Sequence, residues 1–294
     1  MKGSIFLRHP LGGWRSGLLF GTLRVQRTFP TVVAAGACLY LQGVSEAESM
    51  ILYPMSIFFF HISASAFNDV SDMEVDRVNA PERLLPRGAM SRLRLAAFAS
   101  LLFILGVGLS VVVDSVYALL AGTLGLLYVL LYSFFVPMKS HPVGSLLYLS
   151  ASGLAIPFAG ASVIARSVNG ETLILFLLLT ALGGCATISS VKDVLGDGEG
   201  GRRTFAVVLG FPRARRVAAL MVLVPSTLYL VLPWGLGFSL GVLTLVPMAL
   251  RLLLAQQVLR AVEPRLLGRC GPLYRLLIAA DAIMLGLGRP PLGA

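Results

Sequence analysis

Two short stretches of this chain gather the residue types that do polar chemistry. Phe67 to Ser91, FNDVSDMEVDRVNAPERLLPRGAMS, sets Asp69, Asp72, Glu74, Asp76 and Glu82 beside Arg77, Arg83 and Arg87. Lys192 to Thr204, KDVLGDGEGGRRT, sets Asp193, Asp197 and Glu199 beside Arg202 and Arg203. Together they hold eight of the fourteen acidic residues in the chain, so the clustering is not an even scatter of loop charge. Both contain D-x-x-x-D, Asp72 with Asp76 and Asp193 with Asp197. On a helix that spacing places two carboxylates on one face, about a turn apart. They repel each other there, and a hard divalent cation with oxygen ligands relieves the repulsion. The arginines ask instead for an anion. A diphosphate with Mg²⁺ satisfies both demands: Mg²⁺ takes one or two carboxylates plus phosphate oxygens. Arginine forks grip the oxygens that remain.

The elements that position these residues must lie in a membrane. The 294 residues are 56% hydrophobic and only 13% charged, against about 25% charged in soluble domains. The apolar residues run in blocks of roughly 20, the length that crosses the hydrocarbon core. We place nine spans near 17–43, 50–70, 92–113, 116–136, 143–164, 171–192, 214–233, 235–258 and 271–288. The expected fold is an all-α, polytopic membrane protein, one transmembrane domain over 1–294. Its first half carries the 68–76 motif and its second half the 193–197 motif. Lysine and arginine collect at the N-terminus and in the even-numbered loops, which places those, and both acidic motifs, on the cytoplasmic side. The net charge of +10 then reflects the membrane surface rather than nucleic acid. No cleavable leader is evident, so the first span reads as an anchor. Cys38, Cys185 and Cys270 lie within or beside apolar runs without metal-ligand spacing and read as packing residues.

Arg24 and Arg27 share a helical face in the first span. They either snorkel to the interface or point into the bundle towards an anion. His61 reads as a packing residue, and Asp114 and Asp281 have no partner that the sequence identifies.

These residues carry a family resemblance. The first stretch resembles the N-D-x-x-D-x-x-x-D signature of the UbiA-type intramembrane prenyltransferases, with N-x-P-x-R downstream. The second resembles their second aspartate motif with its trailing G-x-x-T, Gly201 to Thr204. YSFFVPMK, Tyr132 to Lys139, is similar to the connection after the family's fourth helix. The resemblance implies a helical bundle, two four-helix halves plus one helix, around a cavity open to lipid. It implies transfer of a prenyl group from a polyprenyl diphosphate to an acceptor, with two Mg²⁺ ions. Asn68, Asp72 and Asp76 would hold one ion, Asp193 and Asp197 the other, and these aspartates are the expected catalytic set. Arg24, Arg27, Arg83, Arg87, Tyr132, Lys139, Lys192 and Arg202 are the expected substrate contacts. Tyr128, Tyr132 or Phe135 would shield an allylic cation through ring faces. The arginine-rich segment Arg77 to Arg87 is expected to be a mobile lid over the phosphate.

The sequence departs from the family in two places. Leu84 follows Arg83 where proline is frequent, and Val194-Leu195-Gly196 lacks an acidic residue that many second motifs carry, for which Glu199 would compensate. The expected acceptor is an aromatic quinone precursor resembling 4-hydroxybenzoate. The alternative is a lipid alcohol such as geranylgeranylglyceryl phosphate. A cation-coupled transporter is a third reading, but its acids belong near the midplane on broken helices, whereas here they sit at span ends.

Overall fold

The computed structural model describes residues 25–130, 138–229 and 244–287. Among these residues all regular structure is helical. The helices are α1 (Val25–Leu41), α2 (Ala47–Ser71), α3 (Met73–Asn79), α4 (Arg92–Val113), α5 (Ser115–Tyr128), α6 (Pro142–Ser152) and α7 (Ala155–Ile164). They continue as α8 (Gly170–Leu182), α9 (Ile188–Lys192), α10 (Val194–Glu199), α11 (Phe205–Leu209), α12 (Phe211–Leu223), α13 (Leu245–Arg260) and α14 (Gly271–Leu287).

Local chemistry explains the starts. Ser91 and Asp114 accept from the backbone N–H groups of Arg94 and Tyr117. Asn169 and Thr172 form a reciprocal capping box at α8. Each satisfies an amide that the first helical turn leaves unpaired. Close packing uses small residues: a Cβ on Gly106 would lie 3.0 Å from the Phe60 ring, and one on Gly125 3.0 Å from Phe103. Glycine there lets α4 approach α2 and α5 approach α4, as small residues do between membrane helices.

Helices α1, α2, α4 and α5 pack in sequence, and α14 closes the bundle against α1 and α13. Among the described residues three helical stretches are long and apolar enough to cross a membrane: Ala47–Ser71, Arg92–Val113 and Gly170–Lys192. The pair α6 and α7 adds a fourth if it is one span, although it bends by 57°. Each span expected from the sequence contains helix, but the count of nine goes further than these lengths carry. The expected span 143–164 is broken at Gly153-Leu154, and 171–192 passes through a 3₁₀ turn at Gly183–Thr187. Apolar periodicity runs through both breaks and gives no sign of them. The three cysteines are buried and unbridged, as packing residues should be.

Candidate active site

Both acidic motifs are built the same way. Asp72 stands between α2 and α3 with φ −98° and ψ 7°, and Asp193 stands between α9 and α10 with φ −90° and ψ 8°. This sparsely populated backbone region recurs at active-site residues. The helical path resumes at once, with Asp76 N–H donating to Asp72 O (2.8 Å) and Asp197 N–H to Asp193 O (3.0 Å). In each motif a helix is interrupted at the first aspartate of D-x-x-x-D, Asp72 or Asp193, and the second follows one turn later.

The motifs meet. Asn79 donates to Asp193 O and accepts from Gly196 N–H, both at 3.0 Å. Helix α10 lies so close that a Cβ on Gly196 would sit 2.5 Å from Asn79 Cγ, and one on Gly200 2.6 Å from Val75 Cγ2. Gly196 belongs to the Val194-Leu195-Gly196 run that lacks the acid many second motifs carry. The structure shows why it is glycine: Asn79 fills the space. Glu199, expected to compensate, is exposed.

Around this junction acids and bases interlock. Asp72 accepts from Lys139 and Arg202, and from Asn68 at 3.0 Å. Lys139 also donates to Ser71 Oγ at 2.6 Å. Arg202 reaches Asp197 at 3.2 Å and so ties the two motifs together. Arg83 pairs with Asp76, and with Asp69 at 3.3 Å. Burial alone would push the Asp72 carboxyl up, but Lys139 and Arg202 outweigh it and hold that group below the usual carboxylate range. Asp197 is pushed up to about 6 by burial, with Arg202 opposing.

These groups line the polar end of a cavity of about 680 Å³. Its wall includes Asn68, Asp72, Asp76, Asp193 and Asp197, with Arg83, Lys139 and Arg202. Arg87 is exposed, Lys192 pairs with Asp193 at 2.7 Å, and neither lines the cavity. Arg24, Tyr132 and Phe135 lie outside the described residues, as does the side chain of Arg27. The apolar end is aromatic. Tyr128 stacks on Tyr148 (4.6 Å between centroids, 14° between planes), and Phe60 meets Phe103 edge to face. Tyr128 was expected. Tyr148 and Ser190 were not, because a lone tyrosine or serine in an apolar run carries no spacing signal; Asn79 was seen only as the start of N-x-P-x-R, with no role given to it. His61 lines the cavity too.

The segment expected as a lid is tied down. Leu84 and Leu85 are buried, Arg87 N–H donates to Arg83 O, and Ala89 N–H donates to Leu84 O. Leu84, where proline is frequent in the family, is buried.

The donors fit a hard cation in kind. Four carboxylates and the Asn68 amide offer only oxygen ligands suited to Mg²⁺. Yet among the described residues no three His, Cys, Asp or Glu side chains converge as a preformed metal site. Lys139, Arg83 and Arg202 occupy the space between the acids.

Residues 28–270 match the UbiA prenyltransferase family. The chain belongs to that family. This UbiA-family protein is a prenyltransferase and an integral membrane protein. It is 30% identical over 221 residues to the digeranylgeranylglyceryl phosphate synthase of Thermococcus kodakarensis, covering 74% of each chain. It is also 30% identical over 216 residues to the enzyme of that name from Natronomonas pharaonis, covering 70% of this chain and 74% of the relative. The fold resembles that of a UbiA homologue from Archaeoglobus fulgidus solved with GPP and Mg²⁺. The TM-score is 0.66 at 16% identity, over 92% of this chain and 100% of the other.

Proposed function

We propose that this prenyltransferase joins a prenyl group from a polyprenyl diphosphate to the hydroxyl of a prenylated glycerol phosphate. The observation that carries the acceptor is its similarity over most of its length to digeranylgeranylglyceryl phosphate synthases. That similarity favours the lipid alcohol over the aromatic acceptor, because the acidic motifs bind the donor and are silent about what attacks it. The cavity suits the reading: a polar mouth bearing both motifs continues into an apolar, aromatic body that can hold a hydrocarbon chain.

The chemistry follows from the charges in place. The donor C–O bond breaks with its electron pair leaving on the diphosphate, whose oxygens Arg83, Arg202 and Lys139, all lining the cavity, would receive. Asn68, Asp72, Asp76, Asp193 and Asp197 would hold two Mg²⁺ ions, which supply further neutralisation of that charge. Tyr128 and Tyr148 present ring surface to the allylic carbon and keep water away. The acceptor oxygen forms the new C–O bond and releases its proton. The orientation that puts this mouth on the cytoplasmic side belongs to the same proposal.

The test is a reconstituted assay with labelled geranylgeranyl diphosphate. Geranylgeranylglyceryl phosphate and 4-hydroxybenzoate are supplied in turn, with Mg²⁺ or with excess chelator. An ether lipid product that requires Mg²⁺ is expected. Prenylated hydroxybenzoate with an inert lipid acceptor would overturn the assignment.

A further inference from the structure

Away from the cavity, a second set of charges is buried and has no part in the chemistry above. Arg251 in α13 and Asp281 in α14 are both wholly buried and pair at 2.5 Å. Tyr229 donates to the other oxygen of Asp281. Neither Arg251 nor Asp281 lines the cavity. Charge inside a membrane bundle is expensive. An apolar pair of similar volume holds helices together without that desolvation cost. Packing alone therefore gives no reason for these two residues.

The rest of the guanidinium explains them. Arg251 donates to Leu182 O at 3.1 Å and to Val222 O at 3.0 Å. Leu182 is the last residue of α8, where it passes into the 3₁₀ turn Gly183–Thr187. Val222 lies at the end of α12, just before the 3₁₀ turn Val224–Thr227. Carbonyls at such ends are the ones that a regular ladder stops serving. The turn after Leu182 is also wedged between neighbours: a Cβ on Gly183 would lie 1.9 Å from Ser150 O, and one on Gly184 3.0 Å from Met221 O. From this break the chain runs directly into α9, whose Ser189 and Ser190 line the cavity and whose C-cap is Asp193. Leu182 and Asp193 are about 16 Å apart along the helical path.

We propose that Arg251, Asp281 and Tyr229 are positioning residues. They fix the break after Leu182, and through α9 they fix where Asp193 and Asp197 stand relative to Asn68 and Asp72, without touching substrate. The inference is structural, and it rests on the proposed acceptor only in its activity arm.

The test uses the full chain in membranes, without substrate. A Val75→Cys/Gly200→Cys pair bridges the two motifs, since a Cβ at 200 falls 2.6 Å from the Val75 side chain. Its rate of disulfide formation reports whether the motifs are in register. It is measured with the native cluster, with Arg251→Lys, with Asp281→Asn, and with the charge-free Arg251→Met/Asp281→Leu. The charge-free protein is expected to insert and resist heat like the parent, yet cross-link about tenfold more slowly, as loss of charged hydrogen bonds implies. Arg251→Lys restores part of the rate. In the activity arm the charge-free protein needs more Mg²⁺ for half-activation while the acceptor KM holds. Unchanged cross-linking in the charge-free protein overturns the proposal. So does failure of every variant to fold, which would make the cluster a requirement of the bundle. A parent that transfers no prenyl group to the lipid alcohol removes the proposed acceptor and leaves the cross-linking result standing.

Discussion

Asn79 offers the sharpest test of how the two motifs are joined. Its amide makes two hydrogen bonds to the second motif, to Asp193 O and from Gly196 N–H, each at 3.0 Å. A net value of about 1 kcal/mol per bond makes Asn79→Ala cost about 2 kcal/mol of motif docking. If chemistry needs the docked arrangement, kcat/KM for the donor falls about 30-fold. Gly196→Ala attacks the same contact sterically, because its new Cβ would lie 2.5 Å from Asn79 Cγ. Trimming Asn79 removes the obstacle, so the double variant should be no worse than Asn79→Ala alone. The assay is steady-state transfer on all four proteins, read as a double-mutant cycle. Losses that add, or an Asn79→Ala enzyme within twofold of the parent, would refute the docking argument.

Asp72→Ala and Asp193→Ala should each abolish transfer in a protein that still inserts and folds, measured by product formation beside detergent-extracted yield. Near-normal turnover by both would remove the diphosphate site. The requirement for Mg²⁺ should steepen in acid. Burial pushes the Asp197 carboxyl up to about 6, so below that pH a metal ion is expected to compete with a proton there. The half-activating concentration should be flat above pH 7 and about tenfold higher at pH 5, read from Mg²⁺ titrations at fixed donor. Gly183→Ala forces a Cβ to within 1.9 Å of Ser150 O; overpacking of this kind costs about 1–3 kcal/mol, visible as a lowered Tm. Limited trypsin digestion should cut after exposed Arg87 well before Arg83, which is held by Asp69 and Asp76.

The sequence by itself located the acidic groups that the fold brings together. Asn68, Asp72, Asp76, Asp193 and Asp197 are legible because charge in an apolar chain is costly and its spacing is therefore informative. Helix position was legible for a related reason: apolar length must match the bilayer, and 92–113 coincides with α4 as observed. What it did not carry is anything that depends on two distant segments touching. Asp281 has no partner in the sequence because Arg251 lies 30 residues away on another helix. Gly196 carries no signal in the sequence until Asn79, 117 residues earlier, is seen against it. The break after Leu182 leaves no mark in the apolar pattern, because both sides are equally apolar and burial in a membrane erases the face-to-face periodicity that marks helix ends in water; only Gly183-Gly184 hints at it. The bases seated on Asp72, Asp76 and Asp197 were expected to grip phosphate alone. Only the folded chain brings Lys139, Arg83 and Arg202 close enough to neutralise acids that would otherwise repel each other.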